Sequence, residues 1–187
     1  LTMSVFMLAF GLTQIVWGPV ADRFGRRPTL LASLSVLLVA SVAAALTSSI
    51  EALVAARAAQ GATVSAVVMC GRASVRDLYE PAQGARVMSL GLSGLGVLAI
   101  ASPIVGGLLA AQWGWRGALT AVAACVAGAL AFTWRAWPET LARPDPQALQ
   151  LHRLMSNAVA VWKHPTFRAW TLLVTCTYAA LFVVLSA

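Results

Sequence analysis

An all-α bundle that crosses a membrane about six times is the fold class this 187-residue sequence predicts. Three observations predict it. Hydrophobic residues make up 60% of the chain and charged ones only 10%, against about 25% charged in a soluble domain, so most of the surface must face lipid. Six windows, 1–20, 29–49, 52–71, 87–111, 117–136 and 169–187, are apolar over the length of a span, which takes about 20 residues. Eleven of the 13 Lys and Arg residues are gathered in every second connector, at 21–28, 72–86 and 135–168.

The apolar windows must be helices. Hydrocarbon offers no partner for a backbone amide, so a spanning segment is either a helix or part of a closed barrel. Runs such as LLASLSVLLVASVAAAL are far longer and more uniform than the alternating strands of about ten residues that build a barrel.

The first window, LTMSVFMLAFGLTQIVWG, lacks both the basic start and the small-residue cleavage site of a secretory signal. Leu1 and Ala187 both fall inside apolar windows, which reads as a piece of a longer chain. The knot GPVADRFGRRP at 18–28 follows, then the second window. After a short connector near 47–52 comes the third window, which carries Arg57. The fourth window contains Pro103, and the connector at 111–116 holds Trp113, Trp115 and Arg116. Trp134 and Trp137 close the fifth window, so indole rings mark both of its ends, as interfacial anchors do. Basic residues next to spans stay cytoplasmic. The connectors at 21–28, 72–86 and 135–168 are therefore expected inside, and those near 47–52 and 111–116 outside.

The stretch 138–168 is the one long polar segment. PETLARPDPQ holds three prolines and excludes a helix interior. From Gln147 on, Leu151, Leu154, Met155, Ala158, Val161 and Trp162 recur at helical spacing and predict an amphipathic helix. Two placements stay open for it, along the inner membrane surface or packed on the inner helix ends.

Several function classes are excluded. The net charge of +7 suggests nucleic acid only where basic residues share a water-facing surface, and here they sit between spans. Cys70, Cys125 and Cys176 lie singly in apolar windows, without zinc or redox spacing, and read as reduced packing residues. His152 and His164 have no ligand cluster around them, so neither a metal nor a cofactor is expected. No Ser-His-Asp constellation and no phosphate-cradling loop is legible, and an enzyme is not expected.

Three constellations carry the chemistry. In the knot, Gly18 and Gly25 allow a tight reversal, while Asp22 among Arg23, Arg26 and Arg27 suits a salt-bridged cluster that locks or releases one end of a moving bundle. Plain topology also collects arginines in an inside loop, but it does not demand the order G-x-x-x-D-R-x-G-R-R. Arg57 lies about one and a half turns inside its window, where an unpaired guanidinium costs at least ~2.5 kcal/mol. Gln60 shares its face, and Gly61 and Ser65 continue a small-residue stripe for close helix approach. A cavity role and snorkelling to the outer headgroups are both open for Arg57. In SPIVGG, Pro103 removes a helix hydrogen bond, and Gly106 and Gly107 thin the helix beyond it.

On these residues the chain resembles the major facilitator superfamily. The knot matches the pattern between that family's second and third helices, RAAQG at 57–61 is similar to its fourth-helix motif R-x-x-Q-G, and SPIVGG at 102–107 resembles the fifth-helix antiporter motif G-P-x-x-G-G, with Ser102 in place of glycine. GRASVRDLYEPAQGARVMS at 71–89, with QWGWRGAL and WRAWPETL within 112–141, is similar to the bicyclomycin and chloramphenicol resistance branch of drug:proton antiporters. The resemblance implies family helices two to seven of twelve: 1–137 as most of the N-terminal half, 138–168 as the central linker, and 169–187 as the first helix of the second half. It implies a multi-pass protein of a bacterial inner membrane that exchanges a lipophilic drug for protons by rocking two halves about a midplane site. Arg57 would then face the cavity and influence an acid elsewhere, commonly on the first helix. None of the six Asp and Glu residues here lies within an apolar window. A metabolite carrier and a truncated, non-transporting fragment are the alternatives, and self-association is expected of a half with an unpartnered face.

Overall fold

The computed structural model describes residues 2–186, and every regular element among them is helical. Helices α1 (Thr2–Phe24), α2 (Arg26–Leu46), α3 (Ile50–Leu78), α4 (Pro81–Ala136), α5 (Leu151–Lys163) and α6 (Pro165–Ser186) follow in order. By length and composition α1 to α4 are each able to cross a bilayer. The six expected windows are helical, except that the second ends three residues early, at Leu46, and that Leu1 and Ala187 lie outside the described residues.

The chain forms two compact units, Leu1–Pro146 and Gln147–Ala187. In the first, α1 packs on α3, and α2 packs between α3 and α4. Small side chains make these contacts close: Ala21, Ala40, Ala44, Ala66, Ser41, Ser65 and Ser74 are buried. Close backbone approach is how helices gain dispersion energy in lipid, where apolar burial alone gives no preference. One apolar cluster joins Ala21, Leu30, Leu34, Leu37 and Cys70, with Val126, Leu130 and Trp137 packed against it. A second, of Ala44, Ala45, Ala56 and Leu119, ties the other ends of α2, α3 and the last part of α4 together.

The connectors are shorter than the charge pattern implies. α1 and α2 are separated by Gly25 alone, and the basic segment expected as a connector over 72–86 is mostly helix, with only Tyr79 and Glu80 between α3 and α4. Arginine is a good helix former, so α3 simply continues past the end of its apolar window to Leu78. Ser49 caps the start of α3, accepting from the Ala52 N–H.

The fourth and fifth windows run together as α4, whose 56 residues would span about 84 Å if straight. One residue breaks it. Gly114 has φ 69 and ψ −179, so 81–113 and 115–136 are two helical legs joined by a single non-helical residue in place of the 111–116 connector. The backbone stays helical through Pro103, and Gly114 carries the break. At that end Arg116 lies over the Trp115 ring at 4.4 Å and donates to the Thr47 carbonyl, 3.1 Å away, at the C-cap of α2. A cation there complements the helix dipole.

The polar stretch divides between the units. Its start, Pro138–Pro146, is irregular chain within the first unit, and the Asp145 N–H donates to the Asp22 carbonyl at 2.9 Å. In the second unit α5 packs on α6, and Trp162 meets Phe167 edge to face at 6.4 Å. Along the amphipathic stripe Met155, Val161 and Trp162 are exposed, while the side chains of Leu151 and Ala158 lie outside the described ones.

Candidate functional site: a salt-bridged knot at the basic end of the bundle

The ends of α1, α3 and α4 and the start of α2 meet at one place. Arg26 opens α2 and is 1% exposed. Its Nη2 pairs with Asp22 Oδ1 at 2.6 Å, one turn earlier on α1, and its Nε donates to Asp77 Oδ2 at 3.0 Å, near the end of α3. A guanidinium offers donors in a fixed planar fork, and two carboxylates from two helices engage separate arms of it. Buried charge is tolerable only when paired in this way.

The knot has a second carboxylate clamp. Glu139, just beyond α4, accepts from the backbone N–H groups of Arg26 (3.0 Å), Arg27 (3.1 Å), Thr140 (3.0 Å) and Leu141 (3.0 Å). The first two are free donors at the N-terminus of α2, a ready anion site. No residue of α2 or its cap supplies a side-chain cap, so Glu139 does so from more than a hundred residues away. Thr140 adds a hydroxyl contact to Ser74 on α3 at 3.1 Å, and Arg27 donates to the Trp134 carbonyl at 2.8 Å. α4 is thus tied to both α2 and α3.

Gly25 makes this geometry possible. Its φ of 100 and ψ of 157 lie in a region that only glycine occupies readily. A Cβ there would also stand 2.6 Å from Glu139 Oε2. Gly18 is buried against Met69, where a Cβ would sit 3.3 Å from the methionine methyl. Arg23 is exposed and lies over the Phe24 ring at 5.4 Å. The three arginines therefore differ: Arg26 holds the knot, Arg27 braces α4, and Arg23 faces outward.

Burial raises the cost of ionising Glu139, but its backbone donors outweigh that cost and hold the carboxyl below the usual carboxylate range. A lowered folded-state pKa stabilises above the unfolded value, about 4.3, and the contribution disappears as pH falls through the folded one. Wild type and Glu139→Gln are therefore expected to differ in melting temperature in detergent at pH 7, with the variant lower, and to converge as the pH drops below about 4. A gap that persists unchanged to pH 3 would rule out the charge as its cause.

A second constellation lies within α3. Arg57, half-buried, donates from Nη1 to Gln60 Oε1 at 3.2 Å, and Gln60 Nε2 donates to Ser41 Oγ on α2 at 2.9 Å. The chain Arg57–Gln60–Ser41 satisfies a buried amide and gives the guanidinium a neutral partner. Below it α1 approaches closely: a Cβ at Gly61 would fall on the Phe6 carbonyl, Thr13 Oγ1 lies 2.8 Å from Ser65 Oγ, and the Trp17 indole donates to the Ala62 carbonyl at 2.7 Å.

SPIVGG joins neither group. Ser102, Pro103 and Gly107 are exposed, and a Cβ at Gly106 or Gly107 would meet nothing within 4 Å. Ser102 and Gly106 line an apolar groove of about 600 Å³ between α2 and the two legs of α4. Among the described residues no group of three His, Cys, Asp or Glu side chains is placed to hold a metal.

Asp77 and Glu139, outside the apolar windows, are the two members of the knot that the motif does not mark. The legible signal was an acid at the end of each of two spans, in VRD and PETL, next to a knot with more arginines than acids.

The family model described as Major Facilitator Superfamily matches residues 1–187. Multidrug resistance protein D of Escherichia coli is 33% identical over 172 residues, covering 91% of this chain and 42% of that protein. Chloramphenicol resistance protein of Pseudomonas aeruginosa is 35% identical over 142 residues, covering 75% and 34%. A bicyclomycin resistance protein homolog of Haemophilus influenzae is 29% identical over 189 residues, covering 100% and 46%. Among solved structures, the crystal structure of the human organic anion transporter MFSD10 (TETRAN) matches with a TM-score of 0.64 and 26% identity, covering 83% of this chain and 36% of that one. The chain spans less than half the length of these relatives.

Proposed function

Since this chain belongs to the major facilitator superfamily, an integral-membrane family of carriers, we propose that it is part of a multidrug efflux transporter that exchanges lipophilic drugs for protons across a bacterial inner membrane. Its relatives of the bicyclomycin and chloramphenicol resistance branch support the substrate class. The observation that carries the reading is the knot, in which Arg26 is shared by carboxylates from two other helices and the start of α2 is held by Glu139.

Alternating access requires one end of a bundle to close firmly and then to release. Ion pairs that bridge separate helices suit this, because rigid-body movement exchanges them for hydration without deforming any helix. In this reading Asp22, Arg26 and Asp77 lock the cytoplasmic ends of α1, α2 and α3, and Glu139 adds the end of α4. Gly18 lets α1 sit close enough to α3 for the pairing, and Gly25 sets its geometry. Arg27 braces the same end, and Arg23 serves as a topological cation.

Arg57 acts at the other level. Permanently charged, it carries no proton itself, but its field depresses the proton affinity of any carboxyl that shares the cavity. Gln60, held by Ser41, fixes where that charge stands. Ser102, Pro103, Gly106 and Gly107 form a slender helix segment whose open face suits a moving contact.

Cells expressing the chain from its natural gene are expected to accumulate less of a lipophilic cationic dye, with a protonophore abolishing the difference. Arg57→Ala is expected to reduce efflux at least about tenfold, the consequence of ~1.4 kcal/mol or more of lost coupling. Unchanged efflux in that variant removes Arg57 from the mechanism. Accumulation that does not depend on this gene defeats drug export itself.

A further inference from the structure

A cavity of about 690 Å³ opens beside the knot, where α3 turns into α4. That is within the roughly 300–1,000 Å³ of small-ligand pockets. Arg72 and Arg76 line it. Spaced i, i+4, they share one face of α3, where like charges repel, and neither has an ion pair or side-chain hydrogen bond among the described residues. Two acids also line the cavity: Asp77 is committed to Arg26, and Glu80 makes no ion pair among the described residues. The lining thus carries two uncommitted cations against one uncommitted acid. Its other walls are mixed, with Leu78 and Met88 apolar and Tyr79 and Gln83 polar.

The depth is informative. The apolar window of α3 ends near residue 71. At about 1.5 Å per residue, Arg72 and Arg76 stand ~1.5 and ~7.5 Å beyond it. The polar layer of a leaflet is roughly 5–8 Å thick, so both guanidinium groups emerge among the lipid headgroups. Basic pockets between helices at that level select anionic headgroups, and guanidinium forks match phosphate oxygens.

We propose that this cavity is a binding site for an anionic glycerophospholipid, with Arg72 and Arg76 on the phosphodiester, Gln83 and the Tyr79 hydroxyl on the polar headgroup, and Met88, at the start of the next apolar window, against the first methylenes of an acyl chain. A free phosphate shares the charge but has nothing to place on the apolar wall. The site does not depend on the transport reading, because it needs only the membrane and the pocket.

Native mass spectrometry of the 187-residue chain released from detergent tests it, with phosphatidylglycerol, phosphatidylcholine and inorganic phosphate as separate additions. Wild type is expected to hold phosphatidylglycerol saturably and in preference to phosphatidylcholine. R72Q/R76Q is expected to bind it roughly thirtyfold more weakly. R72K/R76K, which keeps the charge, retains most of the binding. R86Q/R143Q, which loses the same charge outside the cavity, binds as wild type does. Circular dichroism and melting temperature without lipid establish that each variant is folded; if R72Q/R76Q is not, the single variant R76Q carries the comparison. Equal phosphatidylglycerol binding by wild type and the neutralised variant overturns the site, as does equal binding of the two lipids. Displacement of the lipid by millimolar phosphate overturns its assignment to a lipid.

Discussion

Replacing Arg26 by methionine is expected to cost the folded bundle about 3–5 kcal/mol, the range for breaking a buried ion pair by removing one partner. The length and apolar stem are kept, so the loss measures the charge. Asp22 and Asp77 would be left with no cation between them, and the Asp77 side chain is only 17% exposed. Each then pulls its helix end toward water, which separates α1 and α3 from α2. The checking measurement is thermal unfolding in detergent, with D22N/R26M/D77N as a third arm. Removing all three charges should recover much of the loss, because the penalty lies mainly in the stranded carboxylates. A triple variant no more stable than the single one would mean that Arg26 acts through packing.

Gly25→Ala is the second large effect. Two independent terms act at this position. An alanine at φ 100 and ψ 157 costs roughly 1–3 kcal/mol in backbone strain. Its Cβ also stands 2.6 Å from Glu139 Oε2, so the carboxylate must move, and with it go the contacts that cap α2. Double-variant analysis separates the two. If the steric conflict matters, Gly25→Ala and Glu139→Gln combine to less than the sum of their separate losses; strict additivity would leave strain as the whole cause.

The two variants test different parts of one assembly. Arg26 draws three helices together through side-chain charge, and Gly25 sets the backbone so that the N–H groups of α2 face an acid from the end of α4. Loss of either loosens the same end of the bundle, so both are expected to lower stability and, under the proposed transport function, to weaken its cytoplasmic lock.

Much of this was legible in the chain itself. Length and hydropathy dictate the helices, because lipid leaves a helix as the only open-ended way to satisfy backbone amides, and each window is helical where described apart from residues 47–49. The order of Gly18, Asp22, Gly25 and Arg26 marked the knot, and the spacing of Arg57, Gln60 and Gly61 marked one face of α3. Where the spans join was less legible. Arginine at a membrane boundary signals topology whether the backbone there is coil or helix, so 72–86 read as a connector although α3 and α4 nearly meet at Tyr79 and Glu80.

What the sequence by itself determined is the helical, membrane-length character of the apolar windows, the end of the bundle that carries the cations, and the residues able to form a charged cluster. Only the tertiary structure decided which acids complete it. Asp77 lies 51 residues from Arg26, and Glu139 lies 113, and local periodicity contains no information about which helix ends converge. The reason is physical: hydropathy acts on each segment separately against the solvent, whereas pairing depends on small buried residues such as Ala21, Ser74 and Gly61 that bring particular helices into contact.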